Sequence, residues 1–119
     1  MAMAKMLVIV TSGPDSHVRA REGLTLVRAI HETGMAESVS LLLFGEGVRC
    51  LSSGDERCME LHEELERVLG AGVHTAACTR SLEEHRLLDA VERLDAVEPV
   101  GAPVFLSSRA DDGYAMLTF

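Results

Sequence analysis

Two stretches of this chain are apolar almost without interruption: Lys5–Ser12 (Lys-Met-Leu-Val-Ile-Val-Thr-Ser) and Ser38–Phe44 (Ser-Val-Ser-Leu-Leu-Leu-Phe). A strand with one wet face alternates apolar and polar residues, so a strand without that alternation is covered on both faces. Such strands belong to parallel sheets, and each parallel step needs a crossover connection, usually a helix. These two runs place the chain in the α/β class.

The segments between them have the period of helices. His17–Glu32 follows the stop at Gly13-Pro14-Asp15, with Asp15 or Ser16 as its cap. Val18, Leu24, Val27 and Ile30, with Ala20 and Leu26 beside them, form its apolar face. Gly34 is placed to end it in the left-handed conformation. After the second strand come Gly45-Glu46-Gly47 and a short helical turn over Val48–Leu51. Asp55 caps a helix through Leu69 whose stripe is Cys58, Leu61, Leu65, Val68 and Leu69. Gly70 and Gly72 end it, and Val73–Ala77 is a third strand. Ser81, with Glu84 three residues on as a capping box, starts a helix that runs to Leu94.

Ala96–Val100 is a brief strand, confined to an edge by Pro99, which lacks the ladder donor. Pro103 suits the first turn of a helix to Ala110. Asp111-Asp112-Gly113 turns the chain into a last strand, Tyr114–Phe119. Five strands alternate with helices through short connections, the signature of a mainly parallel five-stranded sheet with helices on both faces. Residues 1–119 suffice for a single domain, and no repeat or linker divides them.

Composition narrows function. The hydrophobic fraction is 47% but the aromatic fraction is 3%, so the core is aliphatic. There are 19 acidic residues against 11 Lys and Arg, a net charge of -8, which argues against nucleic acid and anionic membranes as partners. The apolar runs are too short to span a bilayer. Met1–Lys5 leads straight into a strand without the form of a signal peptide, which predicts a cytoplasmic protein. Three cysteines, Cys50, Cys58 and Cys78, are an odd number without a C-x-x-C, so neither a disulfide framework nor a zinc module is expected. Cys58 and His62 stand four apart on a helix, but two ligands do not make a metal site, and no metal or other cofactor is expected.

In an open α/β sheet, ligands bind beyond the carboxyl ends of the strands. Three loops should meet there: Ser12–His17, Gly45–Arg49 and Cys78–Arg80. They bring together Ser12, Gly13, Asp15, His17, Gly45, Glu46 and Gly47 as candidate pocket residues around Cys78. Cys78 falls between the third strand and the following helix, where a helix terminus and the Arg80 guanidinium favour thiolate over thiol. His17 could orient or deprotonate that thiol, whereas Asp15 or Glu46 beside it would raise its pKa. Each also has a plainer reading: a packed cysteine, a solvated histidine, loop carboxylates. Gly45-x-Gly47 lacks the third glycine of a dinucleotide fingerprint, and neither a Walker A sequence nor a Gly-x-Ser-x-Gly elbow is present.

Taken in order, the turn Val-Ile-Val-Thr-Ser-Gly-Pro, the strand end Phe-Gly-Glu-Gly-Val, the Gly72-Val73…Cys78 spacing and the closing Ala-Met-Leu-Thr-Phe resemble the DsrE/DsrF-like family of sulfur-relay proteins, which includes the TusD and YchN types. The resemblance covers the whole chain. It implies a three-layer α/β/α sandwich and assembly into a homo-oligomer: a dimer, trimer or hexamer. It further implies that Cys78 carries sulfur as a persulfide from a sulfur-donor protein to a sulfur-acceptor protein, a carrier rather than a turnover enzyme. Some members have further cysteines near the reactive one, whereas here Thr79-Arg80-Ser81 follow. Two other functions fit the same residues. One is a non-catalytic oligomeric module holding a small anion, a nucleotide or a partner protein in the crevice at the strand ends. The other is a thiol redox sensor or peroxidase using Cys50 or a second subunit as its resolving partner.

Overall fold

The computed structural model describes residues 4–119. Met1–Met3, within the stretch read as no signal peptide, lie outside the described residues. The elements run β1 (Lys5–Val10), α1 (His17–Thr33), β2 (Ser38–Leu43), a 3-10 segment (Gly45–Leu51), α2 (Met59–Gly70), β3 (His74–Cys78), α3 (Thr79–Glu84), α4 (Leu88–Glu92), β4 (Val97–Val100), α5 (Ala102–Asp111) and β5 (Ala115–Thr118). All five strands form one sheet in the order β4-β3-β2-β1-β5, and every pair is parallel.

The two unalternating runs are β1 and β2, which with β3 are the strands flanked on both sides. Val8, Val10, Leu41 and Leu43 pack on one face with Leu24 and Val27 of α1, Leu61 and Leu65 of α2, Leu82 of α3 and Val91 of α4. Leu7 and Leu42 pack on the other with Ala76 and with Phe105 of α5. Each fully buried Leu or Val contributes roughly 1.5–3 kcal/mol from apolar area removed from water. The layers are therefore unequal: several helices on one face, one ten-residue helix on the other. Handedness explains this. Steps from β1 through β2 and β3 to β4 all move one way along the sheet, whereas the last step returns to the far side of β1. A right-handed crossover running in the opposite direction must pass over the opposite face, so α5 stands apart from the other helices.

Several expected boundaries shift. β1 ends at Val10, although the Thr11 N–H still donates to the Phe119 carbonyl at 2.7 Å. Val18 is 64% exposed rather than inward. The buried line of α1 is Ala20, Gly23, Leu24 and Val27, and Val18 stands two residues off that 3.6-residue period. Neither Asp15 nor Ser16 caps α1 through its side chain, because Pro14–Ser16 forms a 3-10 turn that runs straight into it. Gly34 does end α1, at φ +67°, and Asp55 accepts from the Arg57 N–H at the entry to α2. Pro99 lies in edge strand β4, as its missing donor requires.

The expected single helix over Ser81–Leu94 is two short ones. Arg86 breaks it at φ +56°. A continuous helix of that length would run about 21 Å. The neighbouring strands of four and five residues span only about 13–17 Å. The chain must come back to the start of β4 within that distance, so it turns between α3 and α4.

Candidate functional site

Cys78 is the last residue of β3, not a loop residue, and the chain enters α3 at the next position. In register it faces Val100 of β4. Thr79 Oγ1 donates to the Val100 carbonyl at 3.2 Å and ties the start of α3 to the end of β4. Cys78 keeps 5% of its surface in solvent.

The expected capping box does not form. Cys78 occupies the N-cap position, and Ser81 lies inside α3. The Ser81 hydroxyl is buried and accepts from the Gly45 N–H at 2.9 Å. A Ser-x-x-Glu pattern reads as a cap when a loop precedes it. Here a strand passes directly into the helix, and the serine is free to hold the neighbouring loop instead.

The loops touch in neighbouring pairs: the first lies against the second, and the second against the start of α3 at Ser81. The Gly45 N–H reaches Ser81 with Gly45 at φ +58°. A Cβ on Gly47 would lie 1.9 Å from the Val10 carbonyl oxygen, so only glycine lets the 3-10 segment lie against the end of β1. A Cβ on Gly13 would lie 2.8 Å from the Glu46 carbonyl oxygen, which brings the first loop against the second. Gly13, Gly45, Glu46 and Gly47 thus come together, with half-buried Ser12 in the first of the loops.

The charged residues expected around Cys78 are engaged elsewhere. Asp15 pairs with Arg57. His17 Nε2 lies 3.2 Å from Glu60 on α2. Glu46 accepts from Arg49 at 3.3 Å, and its other oxygen is 3.8 Å from His85 Nε2. The Arg80 side chain is 87% exposed and donates from Nε to Glu84 at 3.3 Å. That single exposed pair is weak and screened by solvent.

The other two thiols are fully buried. Burial, then the neighbouring Cys58 thiol, pushes Cys50 up to about 12. Burial and the Asp55 carboxylate also raise Cys58, whose Sγ donates to Asp55 Oδ2 at 3.6 Å. Both are protonated at neutral pH. His62, the other half of the conceivable metal pair, sits 3.1 Å from the Cys50 carbonyl oxygen and 3.0 Å from Glu66. Among the described residues, no three His, Cys, Asp or Glu side chains gather as a metal site.

The strand order changes direction between β1 and β5, the switch point at which open α/β sheets form ligand crevices. A cleft of about 710 Å³ lies there, lined by Ser16, His17, Val18, Arg19 and Phe119 among others. Sequence reasoning placed His17 in the crevice but put Cys78 beside it. The two belong to strand ends separated by β2. Only the strand order could reveal that.

A model of the DsrE/DsrF-like family matches residues 4–119. The fold is similar to that of the ychN protein from E. coli, at a TM-score of 0.78 and 20% identity, covering 98% of this chain and 100% of that one. It is also similar to BT1422 from Bacteroides thetaiotaomicron, a conserved protein of unknown function, at a TM-score of 0.74 and 19% identity over 100% of both chains. MTH1491 from Methanobacterium thermoautotrophicum, likewise of unknown function, matches at a TM-score of 0.70 and 21% identity, covering 98% of this chain and 99% of that one. No curated protein matches the sequence significantly. Among the described residues, no helix is long and apolar enough to cross a membrane.

Proposed function

The chain belongs to the DsrE/DsrF-like family, and on that premise we propose that it is a cytoplasmic sulfur carrier whose Cys78 accepts sulfur as a persulfide and passes it to a partner protein's cysteine. One observation carries the reading. Of the three cysteines, Cys78 alone stands at the carboxyl edge of the sheet; it is buried to all but 5% of its surface, whereas Cys50 and Cys58 are fully sealed and held as thiols. In the loading step the Cys78 thiolate attacks the outer sulfur of a donor persulfide. The donor's S–S bond breaks, and the donor leaves as a thiolate. In delivery the acceptor thiolate attacks the outer sulfur on Cys78, which leaves as thiolate in turn. No net oxidation occurs. The first turn of α3, which no side chain caps, follows Cys78 directly. Arg80, two residues on, is largely exposed and paired with Glu84. Ser12, Gly13 and Gly45–Gly47 form the wall of packed loops that leads to Ser81 and Cys78, and Asp15 and His17 border the neighbouring cleft. The carrier works as a homo-oligomer, in keeping with the largely exposed edge strand β5.

The test is intact-mass and peptide mapping after exposure to cysteine persulfide. A labile adduct of one sulfur maps to Cys78 and is absent from a folded Cys78→Ser variant. Undiminished loading in that variant would sink the reading.

A second reading is favoured by the cleft at the switch point: a non-catalytic module holding a small anion or nucleotide between Ser16, Arg19 and Phe119. It expects a saturable thermal shift that Cys78→Ser leaves intact, with no sulfur adduct on any thiol.

A further inference from the structure

On the face that carries α5, a row of side chains crosses the amino-terminal half of the sheet. The Ser38 and Tyr114 hydroxyls share a 2.7 Å hydrogen bond. The Arg109 guanidinium lies 5.2 Å from the Tyr114 ring centroid and 4.5 Å from that of Phe105. The Phe105 ring is nearly parallel to the His74 imidazole, at 8° and 6.5 Å between centroids, and His74 Nε2 is 3.1 Å from Glu98. A groove of about 400 Å³ lies between α5 and the β3–β4 edge, with Arg109, Ser108, Phe105, Val100 and the His74–Glu98 pair on its walls.

Arg109 is the anomaly in this row. The protein carries 19 acidic residues, yet among the described residues no carboxylate lies within ion-pair distance of this guanidinium. Its Nε–H is buried without an acceptor. Two rings stand against it, at 4.5 and 5.2 Å from its central carbon, so part of the ordering entropy of a long side chain is already lost before any ligand arrives. A guanidinium held in this way presents a planar fork matched to a carboxylate. The remaining walls, Phe105, Val100, Val104 and Pro99, are apolar. Glu98, the acidic group in the groove, is engaged by His74.

We propose that this groove is a binding site for a small planar organic carboxylate, which accepts from the Arg109 Nη donors and, after a small rotation of the side chain, from the orphaned Nε–H, while its apolar body lies along Phe105 and Val100. The Arg109 end of the groove lies toward His74, at the opposite end of β3 from Cys78; its other wall reaches Val100, the register partner of Cys78, and Cys78 itself does not line it.

The test uses the full chain, with benzoate as probe and neutral benzamide as its isostere. Calorimetry and amide chemical-shift mapping follow each titration. Benzoate should saturate with a dissociation constant at or below about 1 mM. Its shifts should centre on Phe105, Ser108, Arg109 and His74. Benzamide should bind at least ~10-fold more weakly, as should benzoate to Arg109→Met, because one charged hydrogen bond is worth about tenfold or more. If Arg109→Met does not fold, Arg109→Lys keeps the charge but loses the fork, and the same tenfold loss is expected. Equal binding of benzoate and benzamide, no saturation, shifts mapping away from α5, or full affinity in Arg109→Lys would each overturn the proposal. Sulfur loading of Cys78 is a different readout, so the failure of one site does not imply failure of the other.

Discussion

Gly47 has no room for a methyl group, and the reason lies in backbone rather than side chains. Its Cβ would lie 1.9 Å from the Val10 carbonyl oxygen and 2.7 Å from the carbonyl carbon. Gly47→Ala should therefore lower stability by about 3 kcal/mol or more, since a rigid strand end cannot yield as a side chain does. Gly54 has open space around a Cβ, and Gly54→Ala should change stability by no more than about 0.5 kcal/mol. Urea unfolding with unchanged m-values would check both, and a Gly47→Ala midpoint matching the Gly54→Ala one would refute the packing argument. The Gly-x-Gly pair was visible in the sequence as a candidate loop for a ligand. In the structure its glycines serve the fold: Gly45 takes a positive φ, and Gly47 permits a close approach. Gly34 and Asp55 were legible as helix punctuation because their partners are a few residues away. Ser81 was not, because its partner is Gly45, 36 residues earlier.

Local period located the helices, but the distance to be crossed set their lengths. Leu82, Leu87, Leu88 and Val91 carry an apolar pattern that suits one helix, and all four contribute to the same core on either side of the break. The turn at Arg86 satisfies both demands: it keeps the apolar residues inward and shortens the path to β4. It also places an L-residue at φ +56°, a conformation that disfavours any residue with a Cβ. Arg86→Gly should relieve that strain and leave stability unchanged or raise it by up to about 1 kcal/mol. A loss of more than that by chemical denaturation would mean that the Arg86 side chain makes contacts that outweigh its backbone strain. The opposite pattern appears at α5. Its sequence is weakly amphipathic, yet it covers the sheet face alone, using Phe105 and Leu106 over Leu7 and Leu42.

At the scale of the whole molecule, the sheet is closed on one side and thinly covered on the other. At the β5 edge Ala115, Met116 and Thr118 remain exposed next to an unpaired ladder. If the carrier is a homo-oligomer through that edge, sedimentation equilibrium at micromolar concentration should give an integral multiple of the chain mass. Met116→Lys should then shift the distribution to monomer, because a charge at an edge opposes strand pairing. A wild-type monomer would remove the oligomer from the proposal. The sequence by itself determined the class of fold, the approximate place of all five strands and the confinement of Pro99 to an edge. Those properties follow from burial period, turn chemistry and a missing donor, all local in the chain. It also singled out Cys78 as the thiol near a strand's carboxyl end. Only the tertiary structure decided what surrounds that thiol. The strand order put His17 and the cleft on one side of β2 and Cys78 on the other. Crossover handedness sent α5 alone over the second face, where it stacks Arg109 between Tyr114 and Phe105. Strand order and handedness are properties of the assembled sheet, and no window along the chain contains them.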